Sequence, residues 1–135
     1  MNSLTLVIGS NDGKTVFPGH LGDSQRFHIY RLWEDGRWDL LRTVENTSPE
    51  EKHHGGEEKM KAILSLLGEV DLLVSRKNSP NFRKIAASRP IQPVRVRTET
   101  VEETLKTLGE NFTLLAEMVG RRRAGERFPE IPRLD

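Results

Sequence analysis

Apolar and polar positions change period several times along the chain, and each change marks an element. Leu4-Thr5-Leu6-Val7-Ile8 is a β-branched run closed by Gly9-Ser10-Asn11-Asp12-Gly13, the pattern of a buried first strand followed by a turn. Phe27 to Trp33 and Trp38 to Val44 read as two further strands, joined by Glu34-Asp35-Gly36-Arg37. Asp-Gly between such runs is a strong hairpin signal. Trp33 and Trp38 flank that turn and are expected as an aromatic cross-strand pair. After a polar loop, residues 45–56, the apolar residues Met60, Ile63, Leu64 and Leu67 recur on one helical face, and Gly68 ends the helix they predict.

The second half alternates strand and helix. Val70 to Ser75 reads as a buried strand. Ser79-Pro80 supplies a cap and a first-turn proline for a short helix whose buried side is Phe82, Ile85 and Ala86. Ile91 to Val96 is a further strand, in which Pro93 has no donor for a ladder and so asks for an edge or a bulge. Thr100-Val101-Glu102-Glu103 has the form of a capping box, with the threonine and glutamate expected to satisfy backbone N–H groups. The stripe Val101, Leu105, Leu108, Phe112, Leu115, Val119 then runs to Gly120. Gly109 within it costs about 1 kcal/mol against alanine in a helix and marks a place to break or bend.

Beyond Gly120 come Arg121-Arg122-Arg123 and a proline-bearing tail, expected as a mobile or partner-docked extension. The expected organisation is one domain over residues 1–120 and a basic C-terminal extension over 121–135. A strand, a hairpin and then alternating helices and strands imply an α/β fold. Its sheet is expected to be five-stranded, mixed and mostly parallel, with an antiparallel hairpin strand and helices on its faces. Ligands in such sheets gather beyond the carboxyl ends of the strands, here the loops starting at Gly9, Ser75 and Arg97.

Composition narrows the chemistry. At 135 residues the chain is long enough to bury its own core. It has no cysteine, which excludes disulfides and any thiolate zinc or iron-sulfur cage built from this chain alone. Apart from three methionines, imidazole is the soft donor left, so a bound transition metal must be held by nitrogen and oxygen. His20, in Pro18-Gly19-His20-Leu21-Gly22, and His53-His54, before Gly55-Gly56, lie in polar, glycine-bearing stretches and are the candidate metal ligands. Neighbouring residues of an extended segment point opposite ways, so one of His53 and His54 suffices, and either could instead cap the helix starting near Gly56. His28, inside a strand, reads as structural.

The net charge of +1 conceals an asymmetry. Residues 1–68 carry 8 basic and 10 acidic side chains, residues 69–135 carry 13 and 10, and the stretch from Arg76 to Arg97 has seven basic residues and no acid. Such a field favours an anion, the alternative being a solvated basic face. Ser10, Asn11, Asp12 and Gly13 tolerate turn conformations, so their loop can gather N–H groups into an anion nest with the Ser10 and Thr15 hydroxyls. An ordinary turn between strands is the alternative there. No apolar run approaches a bilayer span and the first residues lack a signal-peptide layout, so a cytoplasmic location is expected.

Enzyme patterns fail in turn. There is no nucleophile elbow, and the stretch from Gly9 to Thr15 ends in Gly-Lys-Thr but has one residue too few between its glycines for a phosphate loop. Two-metal nuclease chemistry needs converging carboxylates, one of them on the first strand. Leu4 to Ile8 supplies none, and Asp12 and Asp71 fall at opposite ends of their strands.

Several segments together resemble a known family. These are Ser10-Asn11-Asp12-Gly13-Lys14-Thr15-Val16 after the first strand, His20-Leu21-Gly22, Phe27-His28-Ile29-Tyr30, His53-His54-Gly55-Gly56 and Thr100-Val101-Glu102-Glu103-Thr104-Leu105. In this order, over residues 4–108, they resemble the dinitrogenase iron-molybdenum cofactor biosynthesis (NifX-like) proteins, whose His-Phe-Gly is similar to His20-Leu21-Gly22. The resemblance implies a three-layer, ribonuclease H-like motif and a non-catalytic carrier that binds an iron-molybdenum or related metal-sulfur cluster precursor reversibly. Cofactor-assembly or recipient proteins would be its partners, and the chain would be a monomer or weak homo-oligomer. On this reading His20, His53 and His54 are ligand candidates, Ser10, Asn11, Asp12 and Gly13 shape the pocket, and Arg76 and Lys77 balance charge. Two departures stand out. The family's glycine-rich loop after the strand ending at Ser75 is replaced by Arg76-Lys77-Asn78-Ser79-Pro80, and the tail from Arg121 is additional. The rival reading is a basic module binding nucleic acid or a protein through Arg76–Arg97 and Arg121-Arg122-Arg123, with the metal role lost. Only Phe82 interleaves those basic residues, so no stacking platform supports nucleic acid.

Overall fold

The computed structural model describes residues 2–48 and 57–135. Among them are six strands, β1 (Ser3–Ser10), β2 (Arg26–Trp33), β3 (Trp38–Glu45), β4 (Leu72–Ser75), β5 (Gln92–Val96) and β6 (Arg133–Leu134). Four helices accompany them, α1 (Glu57–Leu67), α2 (Pro80–Ser88), α3 (Val101–Glu110) and α4 (Phe112–Arg123). The strands form one sheet in the order β3-β2-β1-β4-β5-β6. Only β2 is antiparallel to its neighbours, while β1, β4, β5 and β6 run parallel. The sheet is therefore mixed and mostly parallel as expected, but it has six strands and not five. β6 pairs with β5 from far along the chain and is two residues long, so no local periodicity announces it.

Strand β1 is buried on both faces from Leu6 to Ser10, which fits its central position. Leu4, Leu6, Ile8, Leu72, Val74, Val94 and Val96 pack on one face against α3 and α4 through Leu105, Leu108, Phe112 and Leu115. Val7, Phe27, Ile29 and Leu73 pack on the other against α1 and α2 through Ile63, Leu67, Phe82 and Ile85. Each such side chain, fully buried, contributes roughly 1.5–3 kcal/mol. Helices on both faces make three layers.

The local signals act where the sequence placed them, with adjustments. Gly36, at φ 92°, turns the β2–β3 hairpin, and Gly68, at φ 70°, ends α1 with its N–H donated to Leu64 O at 3.2 Å. Trp38 is the register partner of Leu32, not of Trp33. Trp33 instead carries the Arg37 guanidinium over its ring, 5.0 Å from the centroid, so the expected tryptophan pair does not form. Ser79 caps α2 by accepting the Phe82 N–H at 3.1 Å. Thr100 accepts the Glu103 N–H at 3.1 Å, while its own hydroxyl donates to Glu103 Oε1 at 2.8 Å. The glutamate thus orients the capping hydroxyl. The predicted break near Gly109 falls at Asn111, whose side chain donates to Thr107 O at 2.8 Å and separates α3 from α4. Pro93 sits where β5 is still the outer edge, since β6 pairs only with Arg95 and Val96.

The tail, expected as mobile or docked on a partner, docks on the chain's own sheet. Arg122 is the reason. It is 1% exposed, and it donates to Gln92 Oε1 (2.6 Å), Ala86 O (2.8 Å), Arg89 O (3.1 Å) and Phe128 O (3.0 Å). The carbonyls of Ala86 and Arg89 lie at the end of α2, where the helix dipole is negative, so the buried cation is stabilised without a carboxylate. Phe128 lies under its guanidinium at 4.2 Å, and the chain then runs on to β6.

Candidate functional site

The carboxyl ends of β1, β4 and β5 share one end of the sheet, and the expected site residues divide between its two faces there. On the α1/α2 face the segment after β1 is pressed onto the strand. A Cβ on Gly9 would meet Ser24 Oγ at 2.5 Å and Leu21 Cδ1 at 2.9 Å, so only glycine admits the short 3-10 turn Leu21–Asp23 against β1. Asn46 secures the turn from the other side, donating to Gly22 O at 2.8 Å and Ser24 O at 2.7 Å. Ser75 at the end of β4 donates to Gly19 O at 3.5 Å. These contacts hold His20 at the mouth of a crevice lined by Gly22, Lys59, Met60, Ser79, Pro80 and Asn81.

The electropositive element of the crevice is the N-terminus of α2, since Lys59 and Asp23, which both line it, pair with each other. The first turn of α2, with no acidic residue in it, turns its N-terminal partial charge toward the crevice. The Lys59 ammonium group is mostly buried and lies 2.7 Å from Asp23 Oδ1. The donors are one imidazole and one thioether, His20 and Met60. Among the described residues no three of His, Cys, Asp and Glu converge. Such a set does not cage a bare ion. An imidazole and a thioether are soft donors that exchange ligands readily.

On the α3 face the Ser10–Thr15 loop closes on itself. Asp12 Oδ1 accepts the N–H groups of Thr15 (2.8 Å) and Lys14 (2.9 Å), and Ser10 Oγ accepts that of Gly13 (2.9 Å) and donates to Thr15 O (2.6 Å). The N–H groups expected to form an anion nest are therefore occupied by the loop's own oxygens. The Thr15 and Lys14 N–H groups hold the Asp12 carboxyl down to about 2. Asn11 faces the start of β2, its Oδ1 accepting the Gln25 N–H at 2.8 Å. Lys14 and Val16 fasten the loop to the start of α3, with Val101 N–H donated to Lys14 O and Val16 N–H to Glu99 O, both 2.8 Å.

His28 belongs to this second group. It is 7% exposed, its Nδ1 pairs with Thr43 Oγ1 at 3.1 Å, and its Nε2 is buried without a hydrogen-bond partner among the described residues. Its ring faces Gly13. Burial pushes its pKa down, Arg26 pushes it further, and Asp12 opposes them.

Arg76 and Lys77 stand between these groups, in the loop from β4 to α2, where Lys77 N–H donates to Ser75 Oγ at 3.2 Å. Neither lines the His20 crevice, and neither do Ser10 to Gly13. His53 and His54 lie outside the described residues. The residues that sequence reasoning missed are Lys59, Met60 and Asn81. Met60 was visible only as the first position of an apolar helical stripe, and nothing local connects it to His20. Asp71, next to β4 at the far end of the sheet, is structural, accepting the Thr5 N–H at 2.9 Å and pairing with Arg123.

No helix among the described residues is long and apolar enough to cross a membrane. Comparison with known proteins gives one positive result, a match of the family model for dinitrogenase iron-molybdenum cofactor proteins to residues 2–111. No curated protein and no solved structure matches the chain. The matched span contains β1 to β5, both groups of site residues and all of α3, so the chain belongs to the dinitrogenase iron-molybdenum cofactor biosynthesis family, as a NifX-like protein.

Proposed function

We propose that this protein is a non-catalytic carrier of an anionic metal-sulfur cluster precursor of the iron-molybdenum type, held at the His20 crevice and passed to cofactor-assembly or recipient proteins in the cytoplasm. The observation that carries this reading is the placement of His20 beside Met60, Lys59 and the N-terminus of α2. One nitrogen and one thioether give soft, exchangeable contacts, and the N-terminus of α2 offsets cluster charge. A carrier must release its cargo, and an open crevice without thiolates suits release. Ser10, Asn11, Asp12 and Gly13 act in this reading by shaping the neighbouring loop and not by offering free N–H groups. Arg76 and Lys77 contribute field at the same end of the sheet, and one of His53 and His54, which precede α1 in sequence, is a further ligand. The β3-β2-β1-β4-β5 order supports the ribonuclease H-like motif implied by the family resemblance.

The test is anaerobic purification, addition of an iron-molybdenum cluster precursor, and metal analysis after desalting. Wild-type protein retains metal, His20→Ala loses most of it, and His54→Ala loses part. Equal, near-zero retention in all three contradicts the proposal.

A further inference from the structure

β5 and β6 run parallel, with Arg95 the register partner of Arg133 and Val96 the partner of Leu134. Register partners on neighbouring strands share a face. Val94, Val96 and Leu134 belong to the core beneath α3 and α4, so Arg95 and Arg133, one residue out of phase, stand side by side on the opposite face. Like charges directly opposed across a ladder destabilise it.

Several other arginines of the chain have carboxylate partners. Arg97 pairs with Asp135 Oδ1 at 3.3 Å one register step further on, Arg121 with Glu126 at 3.3 Å, and Arg123 with Asp71. Arg95 and Arg133 have no such partner among the described residues, and Nε of Arg95 is buried without a hydrogen bond. The side-chain carboxylate of Asp135, next along from β6, is engaged by Arg97.

We propose that Arg95 and Arg133 form a two-guanidinium seat for a tetrahedral oxyanion of the phosphate class. A planar guanidinium presents parallel N–H donors that match two oxygens of such an anion, and an anion between two of them turns repulsion into attraction. The seat exists because Arg122 brings the tail back as β6. Arg133 lies beyond the residues 2–111 that the family model matches, so the seat is an addition to the family domain. It does not involve His20, and it stands or falls independently of the cluster reading.

The experiment is thermal unfolding of the full chain against inorganic phosphate, with chloride adjusted to constant ionic strength, alongside calorimetric titration of phosphate. Wild-type protein gains stability saturably. In Arg133→Gln the midpoint of that response moves to at least tenfold higher phosphate, while its melting temperature in chloride alone is above wild type because the repulsion is gone. Arg37→Gln, an exposed arginine on the distant β2–β3 hairpin, keeps the wild-type phosphate response. Arg133 is exposed, so its substitution decides the matter even if Arg95→Gln fails to fold. An unchanged phosphate midpoint in Arg133→Gln, or no saturable response in the wild type, overturns the proposal.

Discussion

Arg122 Nε donates to Oε1 of Gln92 at 2.6 Å, and this bond ties the last helix to the strand that the C-terminal residues join. Three backbone carbonyls take three further donors, so truncation at Arg122 strands several acceptors at once. Arg122→Ala should lower unfolding free energy by about 3 kcal/mol. It should also release β6, seen as faster amide exchange at Arg95 and Arg97, whose N–H groups bond Pro132 O and Leu134 O. Arg121→Ala, which loses an exposed ion pair and a ring contact, should cost less than about 1 kcal/mol. Urea denaturation of the two variants separates these outcomes.

The turn that holds His20 depends on the absence of a side chain at Gly9. Gly9→Ala should destabilise the fold by about 2 kcal/mol through overpacking and displace Leu21 and Ser24. Chemical-shift changes should centre on residues 20–24 and not on the Ser10–Thr15 loop, which faces α3. The reverse pattern would contradict the packing described.

Asp12 makes the first loop sensitive to acid. Its carboxyl is held at about 2 in the folded chain against 3.8 unperturbed, so its stabilisation is present above 3.8 and is lost as pH falls from there through about 2. The Lys14 and Thr15 amide resonances should titrate with a midpoint near 2. A midpoint near 3.8 would mean that the carboxylate does not hold these N–H groups.

His28 has the opposite ionisation chemistry but the same sign of pH dependence. Its pKa is lowered from 6.5 by burial, so the unfolded chain binds the proton more readily, and the stability present above 6.5 declines as pH drops below it. His28→Leu should remove that part of the slope between pH 6.5 and the lowered value. A ring-proton titration in the wild type, with its midpoint below 6.5, checks the same point directly.

Much of this architecture was legible because its determinants are local. The Leu4–Ile8 run, Asp35-Gly36, Ser79-Pro80 and Thr100 each act within a few residues of themselves, and each does what its chemistry dictates. What escaped was non-local. Arg122 sits in a run of three arginines that reads as a solvated patch, and its burial depends on Gln92 and Phe128 meeting it in space. The Ser10–Gly13 segment was rightly placed at a strand's carboxyl end, yet Asp12 takes up the very N–H groups that could have bound an anion. His20 and Met60 are 40 residues apart in sequence and line one crevice only because α1 packs on the same face of the sheet as the turn that follows His20.

X-ray absorption at the iron and molybdenum edges of protein loaded with a cluster precursor tests the central claim most directly. The crevice predicts an imidazole nitrogen ligand from the protein in the wild type that disappears, together with most of the bound metal, in His20→Ala. Identical spectra and identical metal content in the two proteins would contradict it.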